Sequence, residues 1–240
     1  MENIELAEPR VLTIKDRGND FTLRVSRIPS KPWKRYFEGI LSTSEMIDGK
    51  RVDSYDSSAA RLELLEGQLL DATGYGSLEA VVDWRQKLPL SHRLAASNLL
   101  VAVSSAEPPN ESRIALGAET VYLSAVWGAD QAGKMRKFSG LEHRFRTPSA
   151  EHQRTFSRAA SRSRIVGGSR QGKTVWIGAQ QALMDLYDEL IQAVEGYEVH
   201  GKPLGEDRAS IVEWMDGYHK VAAADRLFSP AAVGVDDEGE

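Results

Sequence analysis

The chain has 240 residues, 41% hydrophobic and 27% charged, with a formal net charge of −5. This is ordinary globular chemistry, enough for one large or two ordinary domains. There is no cysteine, which excludes disulfides, thiolate metal sites and a cysteine nucleophile.

Met1 to Pro9 carries three Glu and no apolar run, unlike a signal peptide, and the longest apolar run, Leu99 to Val103, is far too short to span a bilayer. The expectation is a soluble protein, cytoplasmic at synthesis, with no membrane contact.

The first predicted element is a hairpin. Val11–Ile14 leads through the turn signal Arg17-Gly-Asn-Asp20 into Phe21–Val25, both runs alternating apolar and polar. Arg27, Pro29 and Ser30 follow. Proline cannot continue a ladder, and Ser30 can accept from orphan amides as an N-cap, so a helix is expected over about 31–41. After a loop containing Gly49-Lys50-Arg51, Leu62, Leu65 and Leu69 mark a helix that Gly74-Tyr75 should stop. A further helical region carries Trp84 and runs on past Pro89 and His92 to about Val103. Residues 106–117, with Pro108-Pro109-Asn110, read as a linker.

The second half spells the same order. Val121–Trp127 and Leu141–Phe145 should be strands, and Arg146, Pro148 and Ser149 stand where Arg27, Pro29 and Ser30 stood, 119 residues on. Arg154 and Phe156 match Arg35 and Phe37, and a helix is expected over about 150–163. Met184, Tyr187, Ile191 and Gly196-Tyr197 match Leu62, Leu65, Leu69 and Gly74-Tyr75. Ile211-Val212-Glu213-Trp214 matches Val81-Val82-Asp83-Trp84, and His219 matches His92, within a helical region over about 206–228. The offset drifts only from 119 to 130. The expected fold is α+β: two tandem copies of a β-hairpin-plus-helices unit, 10–105 and 118–229, forming a pseudo-symmetric pair. The acidic, Pro/Gly-rich tail 230–240 is expected to be disordered.

Charge is unevenly placed. Lys134 to Lys173 carries a local charge of +9, and Thr174 to the end carries −10. Complementary surfaces of one fold or of neighbouring subunits explain this best. Arg154, Arg158 and Arg162, spaced by four, should line one helix face able to contact a partner or an anion.

Gly167-Gly-Ser-Arg-Gln-Gly172-Lys173-Thr174 fits the pattern of a phosphate-binding P-loop. Its context argues otherwise: Ser161-Arg-Ser-Arg precedes it where a buried strand is needed, and Gly178 interrupts the helix that ought to follow. The five His residues are scattered without ligand spacing, so neither a metal nor a cofactor is expected. No Ser/His/Asp set has recognisable context, so no catalytic residue is named.

The hairpin followed by Arg-x-Pro-Ser, at Arg27, Pro29 and Ser30 and again at Arg146, Pro148 and Ser149, resembles the opening of tail-assembly chaperones and related tail-morphogenesis proteins of tailed bacteriophages. The resemblance covers some twenty residues per copy. It implies a non-enzymatic protein with protein partners in a phage or phage-like assembly, a possible virion location and a possible homo-oligomer. Two rival readings are a phosphate- or nucleotide-binding enzyme using Gly167, Gly172, Lys173 and Thr174, and a nucleic-acid binder using the basic block 134–173. The second is disfavoured because Phe156 is the lone aromatic among the arginines of the predicted helix and its following segment, where base stacking would need several.

Overall fold

Alternating burial builds the first sheet. Strand β1 (Ile4–Glu5) is followed by the hairpin β2 (Arg10–Asp16) and β3 (Asn19–Val25), which buries Leu12, Ile14, Leu23 and Val25 on one face. Helix α1 (Ser30–Gly39) buries Trp33, Tyr36 and Phe37, the i, i+3, i+4 spacing of one stripe. A second hairpin, β4 (Leu41–Ile47) and β5 (Lys50–Asp56), precedes α2 (Ser58–Gln68), which passes directly into β6 (Leu69–Thr73). Short α3 (Trp84–Lys87) and long α4 (Leu90–Ser104) end the first half. Strands β7 (Ala106–Glu107) and β8 (Ser112–Ala115) lead into the second. The computed structural model describes residues 3–47, 50–76, 81–108, 112–117, 120–136, 138, 141–161, 163–166, 173–177 and 179–228.

The second half comprises β9 (Val121–Ala125), β10 (Trp127–Ala129), β11 (Met135–Arg136), β12 (Glu142–Arg146), α5 (Ala150–Ala160), β13 (Ser163–Val166), β14 (Lys173–Ile177), α6 (Gln180–Leu190), β15 (Ile191–Glu195), β16 (Tyr197–Val199), β17 (Lys202–Pro203), α7 (Arg208–Trp214) and α8 (Gly217–Phe228). The fold is α+β. In each half an antiparallel pair is followed by a helix, a hairpin, a helix, a strand, a short helix and a long helix.

Pairing follows the same pattern. Strand β3 lies between β2 and β6, and β12 lies between β9 and β15. The register shifts at Arg24/Val25 against β6 and at Arg144/Phe145 against β15. Strand β8 extends the second sheet. A third sheet runs β13-β14-β4-β5, so the two hairpins join through β14 and β4. Two small sheets, β1-β16-β17 and β11-β10-β7, tie the N-terminal segment and the link between halves to the second half. Two apolar clusters form the core, one per half. Leu6 crosses into the second cluster and Met184 into the first.

Several sequence expectations need correction. The stretches between α1 and α2 and between α5 and α6 are hairpins, not loops. The helices expected to end at Gly-Tyr stop sooner, at Gln68 and Leu190, and the next five residues are strands. Those strands cover the open edges of β3 and β12, a tertiary requirement that outweighs helical periodicity. Gly74 and Gly196, at φ 93° and 83°, turn the chain after a strand rather than after a helix. The expected helix 206–228 breaks into α7 and α8 around Met215 and Asp216. The segment read as a linker contributes β7 and β8. The tail from 229 lies outside the described residues.

Candidate functional site

Where the halves meet, most of the chemistry is ionic. Arg27 leaves β3 and lays its guanidinium 3.6 Å from the ring centre of Trp214, while donating to the Glu213 carbonyl and pairing with its carboxylate at 3.4 Å. Lys34 on α1 reaches Asp185 at 2.5 Å and Asp188 at 3.5 Å on α6. Lys220 on α8 is wholly buried. Its ammonium donates to Asp188 at 2.6 Å, to Ser30 Oγ at 2.6 Å and to the Val212 carbonyl at 2.7 Å. All three of its protons are used, which is what permits a buried lysine. Burial pushes the Lys220 ammonium down from its usual range, with Asp188 pulling it back up. Arg10 binds Asp216 and Ser104.

Aromatic packing fills the same junction. Trp33 is buried edge-on against Tyr218, and the Tyr36 and Tyr218 hydroxyls are 2.8 Å apart. Gly217 opens α8 because a Cβ there would stand 2.6 Å from Trp33 Cγ.

A second polar group lies inside the second half. Tyr187 Oη is 2.9 Å from His143 Nδ1, His143 Nε2 is 2.9 Å from Tyr197 Oη, and Tyr197 Oη is 2.8 Å from His219 Nδ1. Burial pushes both imidazoles down, His219 to about 4, and both phenols up. At neutral pH all four rings are therefore uncharged. Tyr197 has one proton, so it donates to one histidine and accepts from the other, and the chain of bonds runs in a single direction. The first half holds the matching pair, Tyr75 Oη to His92 Nδ1 at 2.9 Å, with Asp16 at 3.2 Å from Nε2.

The sequence-marked residues fall into three groups. Arg27, Ser30, Trp214 and Glu213 meet at the junction. Ser149 caps α5 in a capping box with His152, but Ser30 lies inside α1 with Pro29 at the cap, so its hydroxyl is left for Lys220. Pro148 precedes the cap of α5. Trp84 opens α3 whereas Trp214 closes α7, and each is only partly buried against a core cluster, whereas Trp33 is fully buried. His92 and His219 are both buried.

Helix α5 is different. None of its residues is buried; only His152, Phe156 and Ala159 are partly covered, with Phe156 stacked on Phe228. Arg154 and Arg158 are exposed and hold no ion pair among the described residues. Arg162 lies outside those residues. The acids of the last third turn instead to Arg10, Arg27, Lys34 and Lys220, leaving Arg146 and His152 to share Glu189.

Lys173 and Thr174 open strand β14, paired antiparallel with Val166 and Ile165. Gly167–Gly172 lies outside the described residues. A P-loop sets its Lys-Thr at a helix N-terminus; here the flanking elements form a hairpin.

Among the described residues no group of three or more His, Asp or Glu could hold a metal. A hollow of about 460 Å³ lies between the N-terminal segment and the β10–β11 turn, its walls including Glu5, Arg10 and Asp130. Those groups are committed to the protein's own donors and acceptors: Arg10 as above, Glu5 to the amides of Ala7, His200 and Gly201, and Asp130 to those of Ala132 and Lys134. Sequence reading missed Trp33, Lys34, Asp188, Lys220 and His143. Lys220 had a visible signal, a lysine beside the apolar run Val221–Ala224.

No protein-family model, curated protein or solved structure matches the chain. No helix of the described residues is long and apolar enough to cross a membrane.

Proposed function

We propose that this protein is a non-enzymatic assembly component that works by binding protein, in the manner its resemblance to phage tail-morphogenesis proteins implies, and that its halves are copies of one unit. The observation that carries the reading is α5: an exposed helix with arginines one turn apart, unengaged by the acids nearby. The recurring Tyr–His pair and bulged strand support the doubled unit. The Tyr/His and Lys/Asp groups act as scaffolding, since each polar atom described above is spent on another protein group. The partner surface is acidic or mixed, meeting Arg154 and Arg158.

Affinity capture from the native host, with crosslinks mapped by mass spectrometry, tests this. Partner crosslinks should cluster on α5, and Arg154→Glu with Arg158→Glu should abolish capture. Sub-micromolar DNA or RNA binding that falls steeply with salt and disappears in the same variant would transfer the surface to nucleic acid.

A further inference from the structure

The contact joining the two halves is one-sided. The first half contributes chiefly β4 and α1, with α4 also touching α8 and β10; the second contributes β14 and the side formed by α6, α7 and α8. A closed two-fold pair would also set α5 against α2, α3 and α4. Helix α5 lies on α6 and the end of α8 and makes no comparable contact with those helices. Two faces are left over, at opposite ends of the same operation. One is the edge strand β13 with α5, and the other is the edge strand β5 with α2, α3 and the start of α4, where Leu90 is exposed.

These faces match the ones already used. Glu63 and Glu66 occupy the positions on α2 that Asp185 and Asp188 occupy on α6, the sixth and ninth residues of each helix. Glu66 binds Arg93 as Asp188 binds Lys220, and Arg93 and Lys220 are each the fourth residue of their helix. Asp185 and Asp188 receive Lys34 from α1; Glu63 is exposed. On α5 the position matched to Lys34 holds Gln153, and the available cations are its neighbour Arg154 and, one turn on, Arg158. Bulk is complementary too. Trp33 faces Gly217 at the junction, whereas the matched positions hold the smaller His152 and the larger, exposed Leu90.

We propose that a second copy of this chain occupies these faces. β13 and α5 of one copy meet β5, α2 and α4 of the next, repeating head to tail the contact that joins the halves. Such a heterologous contact extends into a ring or a filament. The inference rests on the reading of the protein as an assembly component with a doubled unit, and it names the partner.

Sedimentation velocity over a dilution series tests it. Wild type should associate with rising concentration. Glu63→Arg alone and Arg154→Glu alone should each weaken association at least about tenfold. An equimolar mixture of the two should reassociate, because each retains one intact face and the reversed faces complement one another. Both positions are exposed, and thermal melts check that each variant folds. A second measurement uses the absence of native cysteine: a bifunctional thiol reagent should join Glu63→Cys chains to Arg154→Cys chains in a mixture and should join neither variant to itself. A wild type that stays monomeric, a mixture that fails to reassociate, or self-crosslinking of either variant alone overturns the inference. A monomer that still captures another protein through α5 overturns it while leaving the proposed function standing.

Discussion

The Tyr197 hydroxyl sits 2.8 Å from His219 Nδ1, wholly inside the second half, and also 2.9 Å from His143 Nε2. Removing that oxygen leaves two buried ring nitrogens without their partner. Tyr197→Phe should therefore cost about 2–3 kcal/mol in denaturant unfolding. Tyr75→Phe, which strips one bond from His92 at a less buried tyrosine, should cost about 1 kcal/mol. Equal losses at both sites would show that the two pairs are energetically alike and that the longer chain through His143 adds nothing.

Acid should destabilise the protein before its carboxylates titrate. Burial holds His219 down at about 4, with Asp216 pulling up and Arg10 pushing down, and burial depresses His143 as well. In the unfolded chain each takes up its proton near pH 6.5. Below that pH the unfolded state binds more protons, so stability is full above about 6.5 and falls as pH drops toward 4. The expected loss is on the order of a few kcal/mol, read as a falling denaturation midpoint. A midpoint constant from pH 7 to 4.5 would contradict the buried, neutral imidazoles.

Lys220→Met should cost about 3 kcal/mol. It leaves Asp188 facing a methyl group and removes the donor to Ser30 and to the Val212 carbonyl. Lys34, 3.5 Å from Asp188, shares some of that charge and keeps the loss near the lower end. Asp188→Asn in the Lys220→Met background should recover part of the loss. No recovery would mean that packing, not the stranded carboxylate, sets the cost.

Gly217→Ala should cost about 1–3 kcal/mol, because the added Cβ would stand within 2.8 Å of Trp33 Cβ, Cγ and Cδ2. Trp33→Leu in the same chain should relieve the clash, so that the double variant loses less than the sum of the single ones. Simple additivity would place the Gly217 effect in its backbone rather than against Trp33.

Arg27 and Arg146 match in sequence but not in surroundings. The Arg27 side chain is 14% exposed and covers Trp214, whereas that of Arg146 is 51% exposed and pairs with Glu189. Arg27→Ala should cost about 1–2 kcal/mol and Arg146→Ala less than about 1. Thermal melts of the two variants decide this, and a larger effect at Arg146 would overturn the ranking.

The sequence alone was sufficient for the opening strands, for helices at the places of α2 and α6, and for the recurring order of the Gly-Tyr and His positions. Each depends on a period or a conformational restriction within a few residues. It also marked α5 as basic, since arginines four apart share a face. What it could not show was where each face goes. The hairpins β4–β5 and β13–β14 carry few alternating apolar residues, and they are paired through partners about 130 residues apart in the chain. Arg27, Lys34 and Lys220 look like surface cations until the halves close on Asp185, Asp188 and Glu213. Tyr197 and His219 become a buried pair only when β16 packs beside α8. Local sequence sets which side of an element is apolar, but the partner of that side is chosen by long-range contacts whose free energy exists only in the assembled fold.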